Sequence, residues 1–220
     1  MKNRAVIVGA SGLVGSHLLE LLLKNDLFEE IRSFSRKKLN IIHPRLLQFE
    51  INFDSLNDYS DLFSGNIMFC CIGTTIKKAG SKQNFQHIDY EIPVRLAQIA
   101  AQNHFDTFVV ISSLGANSNS SNFYLKTKGK MQQFVENQNI PRKIFIQPSL
   151  LLGKRVEFRF GERFGEIALR TFGFLLIGRM RKYRAIRARN VAQAMVNISL
   201  DNNIFGVIPS DTIEKIADIH

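Results

Sequence analysis

The sequence predicts an α/β fold built on a doubly wound parallel sheet, and three observations predict it. Short apolar runs alternate along the chain with longer stretches whose apolar residues recur at helical spacing. Of those short runs, the ones at 6–8 and 67–72 are continuously apolar, as strands covered on both faces are, while those at 31–34, 46–49, 107–111 and 143–147 mix apolar and polar residues. The first is followed at once by three glycines spaced by two residues and by a leucine-rich helix.

Length and charge bound the rest. With 220 residues the chain is long enough for one well-cored domain, so residues 1–220 are expected to form a single unit, with 154–189 as a small basic substrate-side or lid segment. No run reaches the ~18 uncharged apolar residues that span a bilayer, and the apolar residues near the N-terminus belong to the glycine motif rather than to a signal peptide. Cys70 and Cys71 are adjacent in a predicted strand, where neighbours point to opposite faces. They read as core thiols of a reducing compartment, and a cytoplasmic location is expected. The formal charge of +10 is uneven, since residues 154–189 carry 11 Lys and Arg against 3 Asp and Glu. Such a cluster fits a phosphate or carboxylate ligand, an anionic membrane surface or nucleic acid; a solvated basic face is the competing reading.

At the first turn, Val6-Ile-Val8 makes a buried strand and Gly9 opens the turn. Gly12 allows close backbone approach to a pyrophosphate, and Gly15 lets the helix over 13–25 pack on the strand. Ser11, Leu13 and Val14 complete the cradle, whose amides lie at the positive end of the helix. After the second strand comes Ser35-Arg36-Lys37-Lys38, at the distance where a dinucleotide fold places an acid for the ribose 2′-hydroxyl or an Arg for a 2′-phosphate. Cations without an acid favour NADP(H) over NAD(H), with Arg36 able to grip the phosphate by two bonds.

The third strand leads to Asp54, a candidate acceptor for the adenine amino group or, with Ser55, the cap of a helix reaching Leu62. The fourth strand runs into Cys71-Ile72-Gly73-Thr74-Thr75, small residues where open α/β sheets take their ligands, and 77–80 is expected as a mobile basic loop. Over 83–102 the helical period is interrupted by Pro93, which predicts a kink or break. His87 and Asp89 fall on this stretch without a metal-ligand companion, so surface or packing roles are expected and no metal is.

The fifth strand ends at Ser112-Ser113, and a helix over 122–137 carries Tyr124 and, four residues on, Lys128. Residues four apart share a helical face. A phenol is a poor acid-base group at neutral pH unless cations favour its phenolate, and Lys128 with an oxidised nicotinamide can supply them. Tyr124 could then move a proton at a substrate oxygen that Ser113 orients, while Lys128 bonds the nicotinamide ribose.

Taken together, Gly9-x-x-Gly12-x-x-Gly15, Ser35-Arg36-Lys37-Lys38, Cys71-Ile-Gly-Thr-Thr75, Ile111-Ser-Ser113 and Tyr124-x-x-x-Lys128 resemble the atypical short-chain dehydrogenase/reductase group. The stretches from Cys71 to Gly80 and from Ser121 to Gly129 are similar to its Tat-interactive protein (CC3)-like branch of NAD(P)-binding proteins. The resemblance covers the chain to about Leu152. It implies a Rossmann-like domain binding NADPH, with Ser113, Tyr124 and Lys128 at the catalytic triad positions. It names no substrate, and the basic block 154–189 matches no signature of the group.

Beyond the sixth strand, Pro148-Ser149-Leu150 is expected to enter the cofactor cleft, Pro148 and Leu150 touching the ligand. A helix over 162–177 is expected as a lid rather than a membrane-surface helix, and 179–184 as an exposed basic stretch. A core helix capped by Asn190, an edge strand over 205–208 and a short final helix close the chain. No nucleic-acid signature accompanies the cations. The expected function is hydride transfer between NADPH and a small carbonyl or hydroxyl compound, an anionic one if the basic segment faces it, with a sugar-nucleotide epimerase as a near variant. The rival is an NADPH-sensing regulatory protein without turnover.

Overall fold

The computed structural model describes residues 2–153 and 178–219. Its strands are β1 (Asn3–Val8), β2 (Phe28–Ser35), β3 (Leu46–Glu50), β4 (Ile67–Cys70), β5 (Thr107–Ile111), β6 (Arg142–Gln147), β7 (Leu151–Leu152), β8 (Ile186–Arg187) and β9 (Gly206–Pro209). Seven of them form one sheet in the order β3-β2-β1-β4-β5-β6-β9, every neighbouring pair parallel. The chain runs outward from β1 to β3, then returns to place β4 on the other side of β1. That reversal opens a crevice between the carboxyl ends of β1 and β4, the place where sheets of this kind bind ligands.

The helices are α1 (Leu13–Lys24), α2 (Ile76–Ala79), α3 (Lys82–Gln86), α4 (Ile92–Gln102), α5 (Phe123–Glu136), α6 (Ala188–Leu200) and α7 (Ser210–Ala217), with a 3₁₀ segment over Phe53–Leu62 and a π turn over His87–Glu91. Because side chains alternate along a strand, β1 serves two cores at once. Ala5 and Ile7 pack with α1, α6 and α7, whereas Val6 and Val8 pack with the 3₁₀ segment, α4 and α5.

The structure corrects several local expectations. Residues 76–79 are helical rather than a loop: Thr75 Oγ1 accepts the Lys78 amide at 3.2 Å, and Gly80 closes the turn in the left-handed region. The 3₁₀ segment is capped by Asn52, whose Oδ1 accepts the Asp54 N–H at 3.0 Å, and not by Asp54. Asn190 lies inside α6, whose capping position is Arg187. Cys71 lies just past β4 and is only half-buried. Burial pushes the Cys70 thiol up to about 11 and raises that of Cys71 as well. The edge strand falls one residue later than expected.

Pro93 does not break the helical stretch. It sits in the first turn of α4, and the residues before it widen into a π turn in which the Ile92 amide bonds back to His87 O. A prolyl ring crowds the carbonyl four residues back, here that of Asp89, and the wider turn makes room for it. The parallel pairing of β7 with β8 had no sequence signal, being two residues each. The helix expected over 162–177, and most of the basic segment with it, lies outside the described residues.

Candidate active site

The cleft is built first from the turn after β1. Gly9 has φ +92°, and a Cβ there would lie 2.8 Å from the Cys71 carbonyl carbon, so only glycine lets the two strand ends meet. A Cβ on Gly15 would fall 2.2 Å from Gly9 O, which fixes how closely α1 seats on the turn. Gly12 donates its amide to Gly9 O at 2.9 Å and occupies the capping position of α1, with no side chain capping the helix. The Leu13 and Val14 amides therefore face the crevice as first-turn donors without intrahelical partners. Ser11 is exposed beside them.

At the end of β2, Ser35 is buried and donates to Lys37 O at 2.7 Å, folding the strand end into a turn. Arg36 and Lys37 are exposed on that turn and form no ion pair with the described residues. Asp54 is exposed and paired with His87 Nε2 at 3.1 Å, while His87 Nδ1 lies 2.9 Å from Glu91. These contacts tie the loop after β3 to the π turn.

The other end of the cleft is enclosed. Lys128 is almost fully buried, with Nζ 2.8 Å from Asp89 Oδ1 and 3.3 Å from Ile111 O at the end of β5. Burial acts to lower the ammonium pKa, but the neighbouring Asp89 and then Tyr124 outweigh it, and the net shift is upward. The loop after β4 lies directly on this pair: a Cβ on Gly73 would sit 3.3 Å from Asp89 Oδ1 and 3.7 Å from Lys128 Nζ. Thr74 donates its amide to Asp89 Oδ2 at 2.8 Å. Tyr124, half-buried one turn before Lys128, leans on the Phe85 ring at 5.4 Å between centroids. The start of α5 is set by Asn122, which accepts the Leu125 amide at 3.1 Å, and by Gly129, where a Cβ would strike Asn117.

The expected residues are not all used alike. Ser112 is buried and accepts Gln132 Nε2 at 2.7 Å, a tie between β5 and α5. Ser113 Oγ is 3.5 Å from Leu114 O and makes no hydrogen bond to Tyr124. Pro148 O accepts the Leu114 amide at 3.1 Å and Leu150 O the Ile186 amide at 2.9 Å, so both backbones brace the strand ends. Gly153 abuts Leu13, bringing the β7 end over the start of α1. Ile72 and Thr75 stand on the loop between Gly9 and the Asp89–Lys128 pair, Thr75 spent as a helix cap.

Asp89 overturns its expected surface or packing role: it is 0 % exposed and makes an ion pair in the cleft. A signal for it stood in the sequence. Phe85, Asp89, Ile92, Leu96 and Ile99 follow one another by four and three, which puts a carboxylate on an otherwise apolar stripe.

The sheet order and the glycine turn at its switch point define a Rossmann-like α/β protein. The chain belongs to the NAD dependent epimerase/dehydratase family, whose model matches residues 5–128, and within it to the atypical short-chain dehydrogenase/reductases. It is 34% identical to Protein HTATIP2 of Rattus norvegicus over 202 residues, 90% of this chain and 81% of that protein. It is 36% identical over 156 residues to "Protein FMP52, mitochondrial" of Debaryomyces hansenii, covering 69% of this chain and 68% of the relative. Among solved structures, the Bordetella bronchiseptica enzyme WbmG in complex with NAD superposes with TM-score 0.68 at 14% identity, over 94% of this chain and 72% of that one. The human epimerase family protein SDR39U1 with NADPH does so with TM-score 0.61 at 16% identity, over 93% and 72%.

These relatives overturn the expected cytoplasmic location, since several fungal ones are named mitochondrial. Two adjacent free cysteines say little about which compartment a chain serves. Among the described residues no helix is long and apolar enough to cross a membrane.

Proposed function

We propose that this protein is an NADP(H)-dependent oxidoreductase acting on a small carbonyl or hydroxyl compound. The observation that carries the reading is continuity. The turn at Gly9 touches Cys71, the loop from Cys71 reaches Gly73, and Gly73 lies against Lys128, one turn from Tyr124. A bare glycine cradle and a helix start without a side-chain cap fit a diphosphate. Gly73 brings bare backbone up against Asp89 and Lys128, where a side chain would crowd the pair, and that is the place this reading gives to the ribose. Family membership and neighbours solved with NAD or NADPH support a nicotinamide coenzyme. Preference for NADP(H) rests on Arg36 and Lys37, cations without a carboxylate partner where the 2′ position would fall.

When bound, the coenzyme supplies or accepts the hydride. This chain's part is to hold and to move protons. The Leu13 and Val14 amides take the diphosphate, Arg36 the adenosine end, and Lys128 the nicotinamide ribose. Tyr124 Oη gives or takes the proton at the substrate oxygen, and Ser113 Oγ orients that oxygen. The cations near 178–189 favour an anionic group on the substrate. Tyr124→Phe is expected to abolish NADPH-dependent reduction across a carbonyl panel and to change the coenzyme dissociation constant less than about twofold, within the ~0.5 kcal/mol typical of a minor change. Unchanged turnover would remove Tyr124 from the chemistry. Coenzyme binding with no turnover on any carbonyl, alongside a partner that selects the loaded form, would establish a sensor instead.

A further inference from the structure

A buried carboxylate needs compensation, and Asp89 has it from two directions. Its Oδ1 pairs with Lys128 Nζ at 2.8 Å, and its Oδ2 accepts the Thr74 amide at 2.8 Å. The two ionised side chains are 3% and 1% exposed, so water contributes almost nothing to holding either charge. The charged and titratable groups around Lys128 come from each element packed on it: Asp89 from the π turn, Tyr124 from its own helix, Cys70 from β4. The Ile111 carbonyl approaches from β5. Of these Asp89 is the one carboxylate.

The placement of Asp89 has a local cause. Pro93 removes the amide that would have bonded to Asp89 O, and the π turn ahead of it carries Asp89 inward at the level of Gly73. One side chain thus spans the loop after β4 and the helix that carries Tyr124.

We propose that Asp89 is a positioning residue of the cleft, its two oxygens locking the Lys128 ammonium and the loop after β4 into one register before any ligand enters. This rests on reading the cleft as the coenzyme site, since it assigns what aligns Lys128 there. The ammonium donates to Ile111 O and is held at ion-pair distance by Asp89 Oδ1, so it is fixed from two sides and keeps N–H capacity for a ligand hydroxyl.

Asp89→Asn tests this, because the amide keeps the shape and an acceptor for Thr74 while removing the charge. In protein carrying ¹³C-labelled lysine, with the Lys128 signal assigned through Lys128→Met, the native amine should remain an ammonium through the ordinary lysine range. In Asp89→Asn it should titrate at least about one unit lower, since burial is then uncompensated. NADPH affinity should fall about tenfold in Asp89→Asn, the scale of a charged hydrogen bond. The Asp89→Asn/Lys128→Met double variant should bind no more weakly than Lys128→Met alone. An unmoved Lys128 titration in folded Asp89→Asn, or losses that multiply in the double variant, would overturn the proposal. Should Asp89→Asn fail to fold, the double variant, with neither buried charge, should fold and melt above Lys128→Met; a lower melting temperature would equally overturn it. The titration needs no coenzyme, so a native protein that binds neither NADPH nor NADH would refute the coenzyme reading while Asp89 was still decided by the lysine signal.

Discussion

The two ends of the cleft hold their cations in opposite ways. At the end of β2, Arg36 and Lys37 stand in solvent without an acidic partner. At the ends of β4 and β5, Lys128 is enclosed, paired with Asp89 and fixed by a backbone carbonyl. A free surface cation attracts an anion from a distance but is screened by salt and orders itself only on binding. A buried, compensated one attracts little from afar; its organisation is complete beforehand, as a group aligning reacting atoms requires. The first end is suited to choosing between coenzymes, the second to geometry.

The largest effect that would test this contrast is removal of the enclosed cation. Lys128→Met leaves the Asp89 charge buried without its partner and is expected to cost about 3–5 kcal/mol of folding stability in urea denaturation. That loss should be nearly insensitive to salt; a loss under 1 kcal/mol would mean that water reaches the pair.

Next in size comes alkaline destabilisation. Burial holds the Cys70 thiol up to about 11 against an ordinary 9.0, so the unfolded chain releases its proton first as pH rises. The stabilisation is complete below pH 9 and lost between about 9 and 11, worth about 2–3 kcal/mol at full loss. Lys128, raised above 10.5, adds to the loss only above that value. Melting temperatures from pH 8 to 11 would show the fall, and Cys70→Ala should flatten its first part.

At the open end, Arg36→Glu should weaken NADPH by about tenfold or more while barely altering NADH or the melting temperature. Raising salt from 50 to 300 mM should erode the proposed preference for NADPH; equal loss of both coenzymes on calorimetry would place the 2′-phosphate elsewhere. The smallest change is expected for Asp54→Asn. Asp54 is 76% exposed in its pair with His87, so stability should move by less than about 0.5 kcal/mol. A drop in affinity for both coenzymes would then assign Asp54 to the adenine.

Much of this could be read without coordinates. The strands at 6–8 and 67–70 announced themselves because they are buried on both faces and apolar throughout, and the turn because only glycine tolerates Gly9's dihedral and Gly15's contact. The helix bearing Tyr124 and Lys128 was legible from the polar loop before it and from the four-residue spacing of those two side chains. The end of β4 was less so, since Thr75 reads as a ligand-side threonine and serves as a cap for a four-residue helix too short to show a period. Asp89 was missed for a different reason. Pro93 signals a disturbance in a helix but not its form, so the four-and-three spacing that puts Asp89 on the apolar stripe could not be carried across it from the sequence alone. Pairing it with Lys128 needed the fold, because the two stand 39 positions apart.

The widened turn at His87–Glu91 amounts to a one-residue insertion retained within a helix. Five residues of such a turn cover about the rotation that four cover in an α-helix, so the extra residue is absorbed locally and the helix before it keeps its face. What the extra residue provides is room for the Pro93 ring at the Asp89 carbonyl. A homologue that lacks the residue is therefore expected to lack the proline as well.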